Sequence, residues 1–397
     1  MKILLINNYG FKRGGTETVF LDTADLLKSK GHQVKLFSRF TLKDQNHLID
    51  FSTQERSFIF NKFYSIRSKR EIRNILTSFN PDVVHVNNII GGITFSILPE
   101  IKKKNIPIVV NVHDFRMLCP VGIFINGKKE ICEKCKVGKY YNCVINNCRP
   151  DGLLKNIMIA TESYLRDYFL PHENFFDKYI FVSNFTKNKF LEFYPNLNFK
   201  SEVLYNFTTK FNKEVKRGKY FLFFGRLDRE KGVKTLISVF KEMREFNLII
   251  LGKGEFENEL LNFNLSNIKY LGFKKGKELQ DLIVNSSFII IPSECYETFG
   301  MSGAESLSMS KPIIASNLGG LTELVENETN GFIFEAGNKE SLIAVIKKSI
   351  NLTDEEYYKM CSNAFQFAQH YFNPEDYYKK LSGIYQSLLS NDRIFTD

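Results

Sequence analysis

No apolar run in this chain of 397 residues approaches the roughly 18 to 20 that carry a helix across a bilayer, so no membrane-spanning segment is expected. The opening MKILLINNY has too short an apolar stretch for a secretory leader and lacks the small-residue cleavage site, so it reads as a first strand. Both absences point to an intracellular, cytoplasmic protein, in which disulfides are not expected. No Asp-x-Asp pair occurs, so a divalent ion clamped by such a pair is not implied. Tryptophan is missing too, beside 38 phenylalanines, a compositional bias to which we attach no function. Nor is charge concentrated: Lys and Arg number 54 against 44 Asp and Glu, a net +10, but the basic residues are scattered through helical patterns. With no nucleic-acid motif and with aromatics at core spacing, nucleic acid is not an expected partner. The functional reading of the excess is peripheral contact with an anionic membrane surface, and the alternative is a solvated exterior.

What is present is enough apolar residue, 43%, for two domains with separate cores. Short apolar strands near residues 2–7, 34–38, 82–86, 108–112 and 178–182 alternate with helical patterns, as a parallel doubly wound sheet requires. An Asn-, Lys- and Thr-rich stretch without periodicity, residues 205–219, marks a boundary. Strands near 220–224, 248–251, 268–271, 288–291 and 313–315 then form a second alternating series.

The chemistry concentrates at the carboxyl ends of these strands, where ligands of such sheets gather. SECYETFGMSGAESLSMSKP, residues 293–312, reads as a loop followed by a helix start. It carries Glu297 and Glu305 with seven residues between them. A helix start presents unpaired N–H groups and a positive dipole end, which suit a phosphate. Carboxylates accept hydrogen bonds from vicinal hydroxyls, so two of them beside a phosphate site suggest a ribose and a sugar ring, that is, a nucleotide sugar. In GRLDREKG, Arg226 and Lys231 stand in a strand-to-helix loop, where two cations neutralise a diphosphate. Gly14 and Gly15 sit in the first strand-to-helix turn, and His85, His113 and Asp114 at strand ends.

These segments resemble the E-x7-E, R-x4-K, GG-x-E and H-D signatures of retaining glycosyltransferases of family 4. The resemblance covers nearly the whole chain and departs from the pattern at Thr298, where Pro is more common. It implies the GT-B fold, two Rossmann-like domains facing across a cleft: residues 1–205 with 374–397 on the acceptor side, and 206–373 binding the donor. It implies that Arg226 and Lys231 draw charge from the leaving diphosphate, that Glu297 holds sugar hydroxyls and Glu305 the ribose, and that His113 contacts the donor sugar. Gly14, Gly15, Gly252, Phe273, Phe299, Gly300 and Met301 are expected to line the nucleotide, with no catalytic metal. The partners implied are a UDP- or GDP-sugar and a glycan or lipid-linked acceptor in bacterial surface polysaccharide synthesis. His85 is read as structural, and Ser183-Asn184 as lining the cleft.

Five of the seven cysteines, Cys119, Cys132, Cys135, Cys143 and Cys148, fall in one insertion. A CxxC pair with outlying cysteines suggests a tetrahedral zinc, which needs only four ligands; the alternatives are a reduced, metal-free loop and a redox switch. The segment resembles a cysteine-rich insertion of a subset of the family, which implies Cys119, Cys132, Cys135 and Cys148 as ligands and Cys143 as a spare. Two other classes share parts of this pattern: a GT-B sugar-nucleotide epimerase, and a zinc-dependent nucleic-acid binder, which leaves Arg226, Lys231, Glu297 and Glu305 unexplained.

Overall fold

The computed structural model describes residues 1–41, 63–262 and 265–391, and its strands form two parallel six-stranded sheets. The first contains β1 (Lys2–Tyr9), β2 (Gln33–Phe40), β3 (Val83–Val86), β4 (Ile108–Val112), β5 (Lys178–Phe181) and β6 (Ser201–Val203), in the order β2-β1-β3-β4-β5-β6. The second contains β7 (Tyr220–Phe224), β8 (Asn247–Leu251), β9 (Ile268–Tyr270), β10 (Ile289–Ile291), β11 (Ile313–Ser316) and β12 (Gly331–Phe334), in the order β12-β11-β10-β7-β8-β9. Strands covered by helices on both faces read as unbroken apolar runs. Ile3 to Ile6 and Ile289 to Ile291 are such runs, and all seven residues are buried.

The longer helices are α1 (Gly15–Ser29), α2 (Ile66–Phe79), α3 (Leu153–Phe169), α4 (Asn184–Phe193), α5 (Val233–Glu242), α6 (Gly276–Val284), α7 (Met301–Ser308), α8 (Lys339–Ile350), α9 (Asp354–Tyr371) and α10 (Pro374–Asn391). Several start where a side chain satisfies an orphan N–H. Ser65 accepts from Ser68 N at the head of α2, and Thr353 closes a capping box with Glu356 on α9. Ser183, expected to line a cleft, is the N-cap of α4, accepting from Thr186 N at 3.0 Å.

The chain divides into two compact units, Met1–Leu204 with Glu375–Asp397, and Tyr205–Pro374. Helix α10 joins the first unit through named contacts: Tyr385 Oη lies 2.6 Å from His85 Nδ1, Tyr378 Oη 3.0 Å from His32 Nε2, and Glu375 pairs with Lys30. His85 is therefore a buried structural residue beneath α10, and burial pushes its pKa down to about 4. Strands β6 and β12 were not expected from the sequence. The first has three residues and leans on a pair between Lys178 and Glu202, and the second has four.

Candidate functional site

In the second sheet the strand order reverses between β7 and β10, and ligands of such sheets bind outside the carboxyl ends of the strands at a reversal of this kind. The loop after β7 carries Arg226 and Lys231, and the loop after β10 carries Glu297. Lys231 Nζ donates to Glu297 Oε1 at 2.5 Å, and Ser293 Oγ donates to the same oxygen at 2.6 Å. Among the described residues Oε2 of Glu297 accepts from none, which leaves an acceptor for a ligand hydroxyl. Both side chains are mostly buried. Burial opposes each charge, and their mutual attraction overcomes it, leaving the Lys231 pKa raised and that of Glu297 lowered. Burial and backbone approach require glycine at Gly232, between Lys231 and α5. Its φ is +69°, and a Cβ there would stand 1.8 Å from Pro292 O.

Arg226 differs from Lys231 in being 62% exposed, held at the rim by Asp228 and, at 3.4 Å, by Glu230. The loops after β8 and β9 continue the same edge. Gly252 N donates to Gly272 O at 3.0 Å, and the Phe273 ring beside it is exposed.

Helix α7 begins directly after Gly300, whose φ of +99° belongs to the left-handed region. The Phe299 ring is buried against Phe372 and Tyr205, so this residue offers a ligand its backbone and not its side chain. Met301 is half-buried at the first helical position. Glu305 lies one turn further along α7 and pairs with Lys210 Nζ at 3.3 Å. Ser293 and Lys210 were not singled out in the sequence. Ser293 had a local signal, four residues before Glu297, whereas Lys210 stands 95 residues before Glu305 in a stretch without periodicity.

In the first unit, Gly14 is the N-cap of α1 and accepts from Thr18 N at 3.0 Å, with Gly15 opening the helix. His113 follows β4, and its Nε2 lies 2.9 Å from Asn87 Oδ1. Burial, with His85 nearby, holds its pKa down at about 3, so the ring is neutral. Asp114 is turned onto the neighbouring backbone, where Oδ1 accepts from Arg116 N at 2.9 Å.

Two family models match in tandem. The Glycosyltransferase Family 4 model covers residues 13–208, and the Glycosyl transferases group 1 model covers residues 206–367. The chain belongs to glycosyltransferase family 4. A relative in Methanocaldococcus jannaschii, an uncharacterized glycosyltransferase, is 37% identical over 44% of this chain, which spans half the relative's length. An uncharacterized protein of the cps region of Klebsiella pneumoniae is 23% identical over 84% of this chain and 90% of its own length. Among solved structures, a glycosyltransferase from Rickettsia africae superposes with a TM-score of 0.68 at 20% identity, covering 98% of this chain and 99% of that one. HepE of Anabaena, solved in complex with UDP-glucose, gives 0.65 at 18% identity, covering 98% of this chain and 100% of that one. These likenesses establish the GT-B fold.

In this glycosyltransferase the cysteine insertion folds onto α3. Cys119, Cys135 and Cys143 are buried, while Cys132 and Cys148 are half-buried. Burial, with Cys119, Cys148 and Cys132 as neighbours, pushes the Cys135 pKa up to about 12. Cys143, the expected spare, lies within the group. A hydrogen bond with Cys148 raises its pKa, and its Sγ is 3.7 Å from Asn156 Oδ1. The thiols are gathered, yet among the described residues no three His, Cys, Asp or Glu side chains converge as a ready ligand set. Among the described residues no helix is long and apolar enough to cross a membrane.

Proposed function

We propose that this glycosyltransferase moves a sugar from a UDP- or GDP-linked donor to a glycan or lipid-linked saccharide, with retention of anomeric configuration, in the building of a surface polysaccharide. One observation carries the proposal: Lys231 is paired with Glu297, with Arg226 close enough to act on the same carboxylate, at the carboxyl ends of the strands where the strand order reverses. As the glycosidic bond breaks, negative charge develops on the departing diphosphate, and fixed cations stabilise it without reorganisation. The N–H groups at the start of α7 add to that field. Glu297 Oε2 takes sugar hydroxyls, Glu305 takes the ribose, and neutral His113 supplies a ring nitrogen to the donor sugar. In a same-face route the acceptor oxygen bonds to the anomeric carbon as the phosphate oxygen leaves, and that oxygen receives the acceptor's proton. The donor class is supported by the UDP-glucose complex of HepE, and the setting by the Klebsiella cps-region relative.

The test is product analysis by NMR with Arg226→Ala beside the unmodified enzyme. Retained configuration and lost turnover are expected. Inverted product, or unchanged turnover of every active donor, would refute the assignment. Donor isomerised without any acceptor would favour the epimerase reading. Because the two cations meet the diphosphate charge, added divalent metal is expected to leave turnover unchanged.

We further propose that the insertion closes around a structural zinc, with Cys119, Cys132, Cys135 and Cys148 as ligands. Its support is the clustering of soft thiols whose thiolates destabilise one another until a cation joins them. Metal analysis of the purified protein should find one zinc per chain, kept in Cys143→Ser and lost in Cys135→Ser.

A further inference from the structure

Helix α3 is inside out. Its buried side holds Asn156, Ser163 and Arg166 with only Ala160 as a buried apolar residue, while its outer side carries Leu153, Leu154, Ile157, Tyr164, Tyr168 and Phe169. Leu154 and Tyr168 are 83% and 80% exposed, against the usual rule that a surface helix turns its apolar stripe inward. The helix cannot roll to bury them, because its polar side is tied down. Asn156 Nδ2 donates to Asn147 Oδ1 and Arg149 O at 2.8 and 2.9 Å, its Oδ1 accepts from Arg149 N at 2.9 Å, Tyr140 Oη donates to Asp167, and Arg166 lies over the Phe95 ring.

The apolar face extends onto the cysteine insertion. Tyr141 N donates to Tyr164 Oη at 3.2 Å, and Tyr141, Ile145 and Val137 are exposed there. Contiguous apolar exposure of this kind marks an interaction surface. Cations surround it. Lys136 and Lys139 flank Val137, and Lys155 lies on the outer side of α3 itself. Of the nearby acids, Asp151 is paired with both Arg149 and Lys155, while Glu162 and Asp167 share Arg166.

We propose that this face, the outer side of α3 with residues 136–145, docks on an anionic phospholipid surface. The inference deepens the reading of a lipid-linked acceptor and rests on it for its purpose. Apolar and aromatic residues enter the acyl boundary while the lysines meet lipid phosphates. A second copy of the chain is disfavoured as occupant, because a two-fold contact sets the same patch against itself and so brings these lysines together.

The experiment is co-sedimentation of the full chain with vesicles of phosphatidylcholine containing phosphatidylglycerol, and with phosphatidylcholine alone. Binding to the anionic vesicles is expected, weakened by salt. The triple variant Leu154→Ser, Tyr168→Ser, Phe169→Ser removes only exposed side chains and should cut partitioning by about tenfold or more. Lys136→Glu with Lys139→Glu should lower it by about tenfold, and this pair tests the proposal even if the triple variant folds poorly. Absence of binding to anionic vesicles would overturn the proposal. So would a concentration-dependent dimer that the triple variant abolishes, since a second copy would then cover the face. The readout is vesicle binding, so either failure leaves the donor site standing, and loss of nucleotide binding would in turn leave the docking face standing.

Discussion

Arg226 is held at the rim by Asp228 and Glu230, whereas Lys231 is mostly buried against Glu297. Their substitutions should therefore separate. Arg226→Ala is expected to change unfolding free energy by about 0.5 kcal/mol or less while turnover falls about 100- to 1000-fold. Lys231→Ala leaves a buried carboxylate without its counter-charge, at a cost of about 3 kcal/mol by urea titration. Lys231→Met with Glu297→Gln should recover part of that stability and none of the activity, because the desolvated charge is gone with the pair. Equal losses of stability in the two single variants would show that the difference in burial has no consequence. These residues were legible because each lies in a short local signature. Lys311 shows the limit of such reading. It stands with Pro312 at the opening of β11, where the local sequence shows no partner for it, but it is wholly buried and donates to Ser286 O at 2.9 Å and to Lys216 O. Only the folded chain brings those carbonyls together.

Helix α10 follows the break at Pro374 and closes over the first sheet, where Tyr385 meets buried His85 at 2.6 Å. Tyr385→Phe removes the hydroxyl and leaves His85 Nδ1 unpaired in the core. The expected cost is about 1–3 kcal/mol, read as a lower midpoint in urea, and an unchanged midpoint would mean that this bond does not fasten α10. The strands and longer helices were legible for the reason they form: buried parallel strands are unbroken apolar runs and helices carry periodic ones. The outer side of α3 shows where that logic fails. Its pattern is helical whichever face is buried, and only Asn156, bonded to Asn147 and Arg149, and Arg166, set over the Phe95 ring, turn the apolar side outward. The short edge strands β6 and β12 are set by pairing with β5 and β11, a cause no local window contains.

For the molecule as a whole, acid is the weak direction. Burial drives His85 to about 4 and His172 to about 3. A histidine whose pKa is lower folded than unfolded stabilises the fold above its unfolded value, near 6.5, and loses that contribution as pH falls toward the folded value. Glu100, held by Arg73 and Lys103, is lowered to about 2 and loses its share from about pH 4.5 downward. Unfolding free energy should thus fall steadily between pH 6.5 and pH 4, by up to about 1.4 kcal/mol per pH unit for each histidine, and the melting temperature should fall with it. A flat profile over that range would show that the rings titrate normally. At the same scale the central claim is that the second sheet grips a diphosphate with Arg226 and Lys231. Calorimetric titration of the full chain with UDP and with GDP tests it most directly. The account expects one of the two to bind, with affinity reduced at least about tenfold in Arg226→Ala, corresponding to about 1.4 kcal/mol. Binding of neither, or equal binding by the variant, would contradict it.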